Sequence, residues 1–108
     1  SVPRNQDIYT GILDMSNWNN VDRMVDLDVP ISVKTRNTGD KAEIGMYLSG
    51  QDASYFRLDN LGRLYLRGDV NLSVLPHRQL SLILTAFYVE VSTSSTDTAT
   101  VFIDLDNF

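Results

Sequence analysis

From Ile44 to the end of the chain, apolar residues fall at every second position in blocks separated by turn-like segments. The blocks are Phe56, Leu58, Leu64 and Leu66 around Asp59-Asn60-Leu61-Gly62, then Leu80, Leu82, Leu84 and Ala86, then Val101, Ile103 and Leu105. A period of two sends alternate side chains to opposite faces of a strand, one buried and one wet, which a helix with its period of ~3.6 cannot do. The chain is therefore predicted to be mostly β. Phe56, Leu58, Leu64, Leu82, Leu84, Val101 and Ile103 are expected to be buried together, with Arg57, Arg63, Arg67 and Asp104 on the wet sides of their strands.

The rest of the pattern fills in the order of elements. A first strand is predicted around Ile8 to Met15, with a bend at Tyr9-Thr10-Gly11. The Asn-rich segment Ser16-Asn17-Trp18-Asn19-Asn20 reads as a turn or surface loop. Met24 to Val33 follows, in which Pro30 lacks an N–H and belongs at an edge or a strand start. Asn37-Thr38-Gly39-Asp40 is a turn, Ile44 to Leu48 a short strand, and 55–58 with 63–67 a hairpin-like pair. Gly68 to Arg78 is irregular. Strands near 79–91 and 98–106 flank the polar tip 92–97. About seven short strands with turn signals between them predict an all-β fold, an antiparallel Greek-key sandwich of the immunoglobulin-like kind, and not an α/β fold. The sequence has no internal repeat and no low-complexity tract.

Composition limits the function classes. At 108 residues and 43% hydrophobic, residues 1–108 form one domain, large enough to bury somewhat more than ~60% of its unfolded surface. There is no cysteine, so no disulfide braces it; that is usual in the cytosol and compatible with an extracellular domain whose core suffices. A net charge of −5 and a pI near 4.5 argue against nucleic acid or an anionic membrane as partner, since both reward Lys and Arg clusters. No apolar run reaches the ~18 residues of a membrane span, and the first residues lack the order of a signal peptide, so direct membrane insertion is not expected. The chain reads as a soluble piece of something longer.

Several stretches together carry a family resemblance. Val2-Pro3-Arg4-Asn5-Gln6 with Gly11, then Val33, Gly39, Ala42, Ile44 and Tyr47, then Phe56, Leu58-Asp59, Gly62, Leu64 and Leu66 resemble an extracellular cadherin repeat in order and spacing. Leu72-Ser73-Val74-Leu75 lies where that family has Leu-Asp-Arg-Glu, and Leu80 to Ala86 and Val101 to Leu105 match its closing strands. Such repeats bind Ca²⁺ between neighbours through carboxylates, because a hard cation requires several oxygen ligands. Here the resemblance implies a divergent repeat: Arg4, Thr35, Asn37, Ser73, Leu75 and Tyr88 stand where the family's acidic ligands would be. Only Asp104, Asp106 and Asn107 keep the flavour of the acidic linker. They are the candidate metal ligands, an incomplete set, and any Ca²⁺ at a junction with a neighbouring repeat is expected to bind weakly. No cofactor is required by the repeat alone.

Other singular residues have a plain reading beside a sharper one. Asp104 and Asp106 flank Leu105 and also suit a solvated strand face that discourages edge pairing. Asp22, Asp26 and Asp28 lack the glycine and glutamate of an EF-hand loop and read as a solvated edge. His77, the single histidine, reads as a surface residue. Trp18 either packs over one end of the sandwich or stands as an anchor for a protein partner. Asn71-Leu72-Ser73 is a sequon, making Asn71 a candidate glycosylation site. No nucleophile sits beside an oriented base and no glycine-rich phosphate loop follows a strand, so no enzymatic activity is expected.

The resemblance then implies a non-catalytic, extracellular repeat of a cell-adhesion or cadherin-related protein at the cell surface, taken from a multi-repeat ectodomain. It would act as spacer and protein-recognition module. Its partners would be neighbouring repeats of the same chain and another cell-surface or secreted protein. A ligand- or pathogen-binding receptor module, and a spacer from an unrelated secreted protein, remain open alternatives.

Overall fold

The computed structural model describes residues 4–5, 8–34, 44–75, 78–88 and 96–107. Thr35, His77, the turn at 37–40, and residues 92–95 of the polar tip lie outside them. The strands are β1 (Arg4–Asn5), β2 (Ile8–Asp14), β3 (Arg23–Met24), β4 (Asp26–Leu27), β5 (Val33–Lys34), β6 (Ile44–Ser49), β7 (Phe56–Leu58), β8 (Leu64–Leu66), β9 (Gln79–Tyr88) and β10 (Thr96–Asp106). Short 3₁₀ turns span Ala53–Tyr55 and Leu72–Val74.

A five-stranded sheet ordered β4-β2-β10-β9-β6 faces a three-stranded sheet ordered β3-β8-β7, while β1 pairs with β5. The period-two blocks become the inner faces. Tyr9 and Leu13 of β2, Leu80, Leu82 and Leu84 of β9, and Val101, Ile103 and Leu105 of β10 meet Phe56, Leu64 and Leu66 of the facing sheet in one core. Arg57, Arg63, Arg67 and Asp104 are exposed, as the alternation requires, and Leu58 is half-buried at the margin of the core. Asp52, only 2% exposed, ties the loop after β6 to β9: its carboxylate accepts from the Ser81 N–H at 2.8 Å, and its own N–H donates to the Ser81 carbonyl at 3.2 Å.

Three expectations change. Among the described residues the sandwich is antiparallel at every pairing but one: β2 runs parallel to β10, from Ile8 beside Thr100 to Asp14 beside Asp106. The bend at Tyr9-Thr10-Gly11 is absent, and β2 runs through it unbroken with alternating burial. Gly11 is there for close packing instead, because a Cβ at this position would lie 2.6 Å from Val25 Cγ1 and 3.0 Å from Leu27 Cδ2. The segment from Met24 to Val33 is not one strand. Met24 pairs with Tyr65 in one sheet and Asp26 with Ile12 in the other, so the chain changes sheets at the buried Val25, whose N–H donates to the Leu64 carbonyl at 2.8 Å. Beyond β4 the Asp28 carboxylate accepts from the N–H groups of Thr10 and Val29 and turns the chain out of the sheet before Pro30.

Candidate functional site

The parallel pairing of the first long strand with the last fixes the ends of the domain. Parallel strands share a direction, so β2 enters near one pole and β10 leaves at the other, along the 44 Å axis of a body 44 × 22 × 21 Å in extent. The 11 residues of β10 alone span roughly 33 Å at ~3.3 Å per step.

The exit pole gathers a cluster of polar groups. Register sets Asp14 beside Asp106, and the Met15 N–H donates to the Asp106 carbonyl at 2.7 Å. Asp14 Oδ1 accepts from the Ser16 N–H at 3.0 Å, the Ser16 hydroxyl at 2.7 Å and the Asn107 side-chain amide at 3.0 Å. Donation by Asn107, then by Ser16, holds the Asp14 carboxyl at about 2, below its ordinary 3.8. Asn107 reaches it from a left-handed backbone conformation, φ 55°, which Asn tolerates better than most residues.

Arg23 closes the loop above this pair. Its guanidinium donates to the carbonyls of Asp14, Ser16 and Asn17, the last two at 2.9 and 3.3 Å, and lies 5.6 Å from the centre of the Trp18 ring. Trp18 is half-buried and packs against the core, with Nε1 buried and without a hydrogen-bond partner. The geometry is that of a ring covering one end of the sandwich.

The candidate metal ligands are spread along this pole. Asp104 is two residues up the strand and accepts from Gln79 Nε2 at 3.0 Å, while Asn107 donates its side-chain N–H to Asp14. Ser73 donates its hydroxyl to Asn71, and Leu75 packs half-buried against the core. Among the described residues no three His, Cys, Asp or Glu side chains are grouped to hold a metal; a calcium site requires about 6–8 oxygens. Asp14, which sequence reasoning passed over, is the residue that organises the pole.

A second polar cluster lies at the outward side of the three-stranded sheet. Asp22, expected on a solvated edge, accepts from the Gly68 N–H at 2.7 Å and from Arg57 Nε, and these two donors pull its pKa down. Arg57 lies 4.2 Å from the centre of the Tyr65 ring, and Arg67 pairs with Asp69 at 2.8 Å. Gly68 permits the closure, since a Cβ there would stand 2.6 Å from the Asn20 carbonyl oxygen. Asn20, Asp22, Arg57, Arg67 and Asn71 border an open depression of about 760 Å³. Asn71 and Ser73 are both exposed, and Asn71 Oδ1 accepts from the Ser73 N–H at 3.1 Å and its hydroxyl at 2.8 Å. On the opposite side of the molecule, Ile8, Ile12, Tyr47 and Ile83 are exposed on the outward face of the five-stranded sheet.

No protein-family model matches the sequence, and no curated protein matches it. Solved structures do. Over 97% of its length the chain superposes on Drosophila N-cadherin EC1-3 with a TM-score of 0.71 at 20% identity, spanning 34% of that chain. It superposes over 98% of its length on the third cadherin domain of human protocadherin 7, covering 87% of it, with a TM-score of 0.71 at 18% identity. A cis-dimer structure of protocadherin gammaB7 EC3-6 matches over 97% of this chain and 23% of that one, with a TM-score of 0.65 at 19% identity. At such identities the likeness is one of fold: this chain is a cadherin-like β-sandwich, and it spans about a third of the N-cadherin structure and about a quarter of the gammaB7 one.

Proposed function

We propose that this cadherin-like chain is a non-catalytic repeat of an extracellular adhesion protein, a spacer joined pole to pole to neighbouring repeats and offering its surface to a protein partner. The observation that carries this reading is the parallel β2–β10 pair, which leads the chain in at one pole and out at the other. A repeat built this way extends an array by its own long axis, and tension on its two ends runs along paired strands. The exit pole, where Asp14, Asn107, Arg23 and Trp18 are locked together, is a preformed surface for the next repeat. With the Asp14 and Asp104 carboxylates engaged in local hydrogen bonds, the joint relies on direct protein contacts; a cation there would need most of its ligands from the neighbour. The commitment of Asp14 to structural donors on Ser16 and Asn107 supports a structural role for this pole.

Labelling of intact cells that express the full-length protein tests the placement. A membrane-impermeant amine reagent should modify a lysine introduced at the exposed Leu61 (Leu61→Lys) without permeabilisation; modification that requires permeabilisation contradicts the extracellular reading.

A further inference from the structure

We infer that Asn71 carries an N-linked glycan that covers the outward side of the three-stranded sheet; the inference rests on the extracellular reading above. The sequon Asn71-Leu72-Ser73 leads into the 3₁₀ turn Leu72–Val74 between two anchors, Val70 and Leu75, both half-buried against the core, so that Asn71, Ser73 and Val74 stand in water between fixed ends. The two sequon residues that matter chemically already face each other. The Ser73 hydroxyl and N–H both donate to Asn71 Oδ1, and drawing charge towards that oxygen makes the protons on Nδ2 easier to lose. The depression bordered by Asn20, Arg57 and Arg67 opens beside Asn71, giving a first sugar room without displacing a strand.

The step balances with a polyisoprenyl diphosphate-linked oligosaccharide as donor. Asn71 Nδ2 forms a bond to C1 of the reducing-end sugar, and the C1–O bond to the diphosphate breaks with its electron pair leaving on the diphosphate. The displaced Nδ2 proton passes to a carboxylate of the transferase, and nothing is oxidised or reduced. The product shields Arg57 and Tyr65 from proteins and leaves the Ile8, Ile12, Tyr47 and Ile83 side of the molecule bare.

The test is expression of the chain behind a heterologous secretory leader in mammalian cells, with an Asn-Gly-Thr reference acceptor appended after residue 108. Intact mass is measured before and after peptide-N-glycosidase treatment. Two glycans are expected, one of them lost in Asn71→Gln and in Ser73→Ala and retained in Ser73→Thr, with residue 71 recovered as aspartate after enzymatic release. A secreted chain glycosylated at the reference acceptor alone overturns the inference. Because the leader delivers the chain wherever the full-length protein resides, that failure is separate from failure of the extracellular reading, which the cell-labelling experiment decides.

Discussion

Replacing Trp18 separates a ring that holds the domain together from one that holds a partner. The ring packs half-buried against the core under Arg23. Truncating a fully buried tryptophan to alanine costs ~3–5 kcal/mol, so about half of that, ~2 kcal/mol, follows from its burial here. Loss of the guanidinium contact adds ~0.5 kcal/mol. For a domain of this size such a loss lowers the melting temperature by roughly 10 °C. Trp18→Phe is the informative companion. Nε1 is buried without a partner, so phenylalanine removes an uncompensated polar group, which offsets part of the lost area, and the variant should stay within ~1 kcal/mol of the parent. Chemical denaturation of the three proteins, followed by circular dichroism, measures both differences. If Trp18→Ala unfolds at the parental midpoint, the packing argument fails; if it also weakens association with a neighbouring repeat, the ring is a partner anchor.

Leu84→Ala should cost ~2–5 kcal/mol, because Leu84 is fully buried and paired in register with Ala99 and Leu48; an unchanged denaturation midpoint would mean that β9 is out of register by one residue. The Asp14 carboxyl, at about 2 in the folded state against 3.8 ordinarily, stabilises the fold above about pH 4 and loses that contribution as pH falls towards 2. In carboxyl-detected NMR, Asn107→Ala should therefore move its titration midpoint up towards 3.8, and a midpoint that stays put would remove Asn107 as the cause. Thermal melts with millimolar Ca²⁺ and with chelator should coincide for the isolated chain; a site with a Kd a hundredfold below the free concentration would add ~2.7 kcal/mol and separate them by several degrees.

What the sequence made legible was local. The period-two blocks in β7 to β10 place the core because inward and outward positions alternate within each strand, and the Asp59 turn forms as expected, its carboxylate accepting from the N–H groups of Leu61 and Arg63. What it hid was long-range. Nothing near Asp14 announces Asn107, 93 positions away, and nothing near Asp22 announces Gly68 and Arg57. Gly11 read as a bend because a glycine marks a flexible backbone and a close approach with the same letter; only the packed Val25 and Leu27 distinguish them. The two-residue strands β3 and β4 are too short to show any period, so the change of sheet at Val25 left no pattern to read.

Single-molecule pulling tests the pole-to-pole spacer most directly. The chain has no native cysteine, so handles attached through cysteines at the exposed positions Ile8 and Asp106 load the parallel β2–β10 pair in shear. Handles at Gln79 and Asp104, which face each other across β9 and β10, unzip their pair one bond at a time. One cooperative unfolding event is expected, at distinctly higher force for the 8–106 attachment than for the 79–104 attachment. Equal forces, or a weaker 8–106 geometry, would contradict the spacer reading.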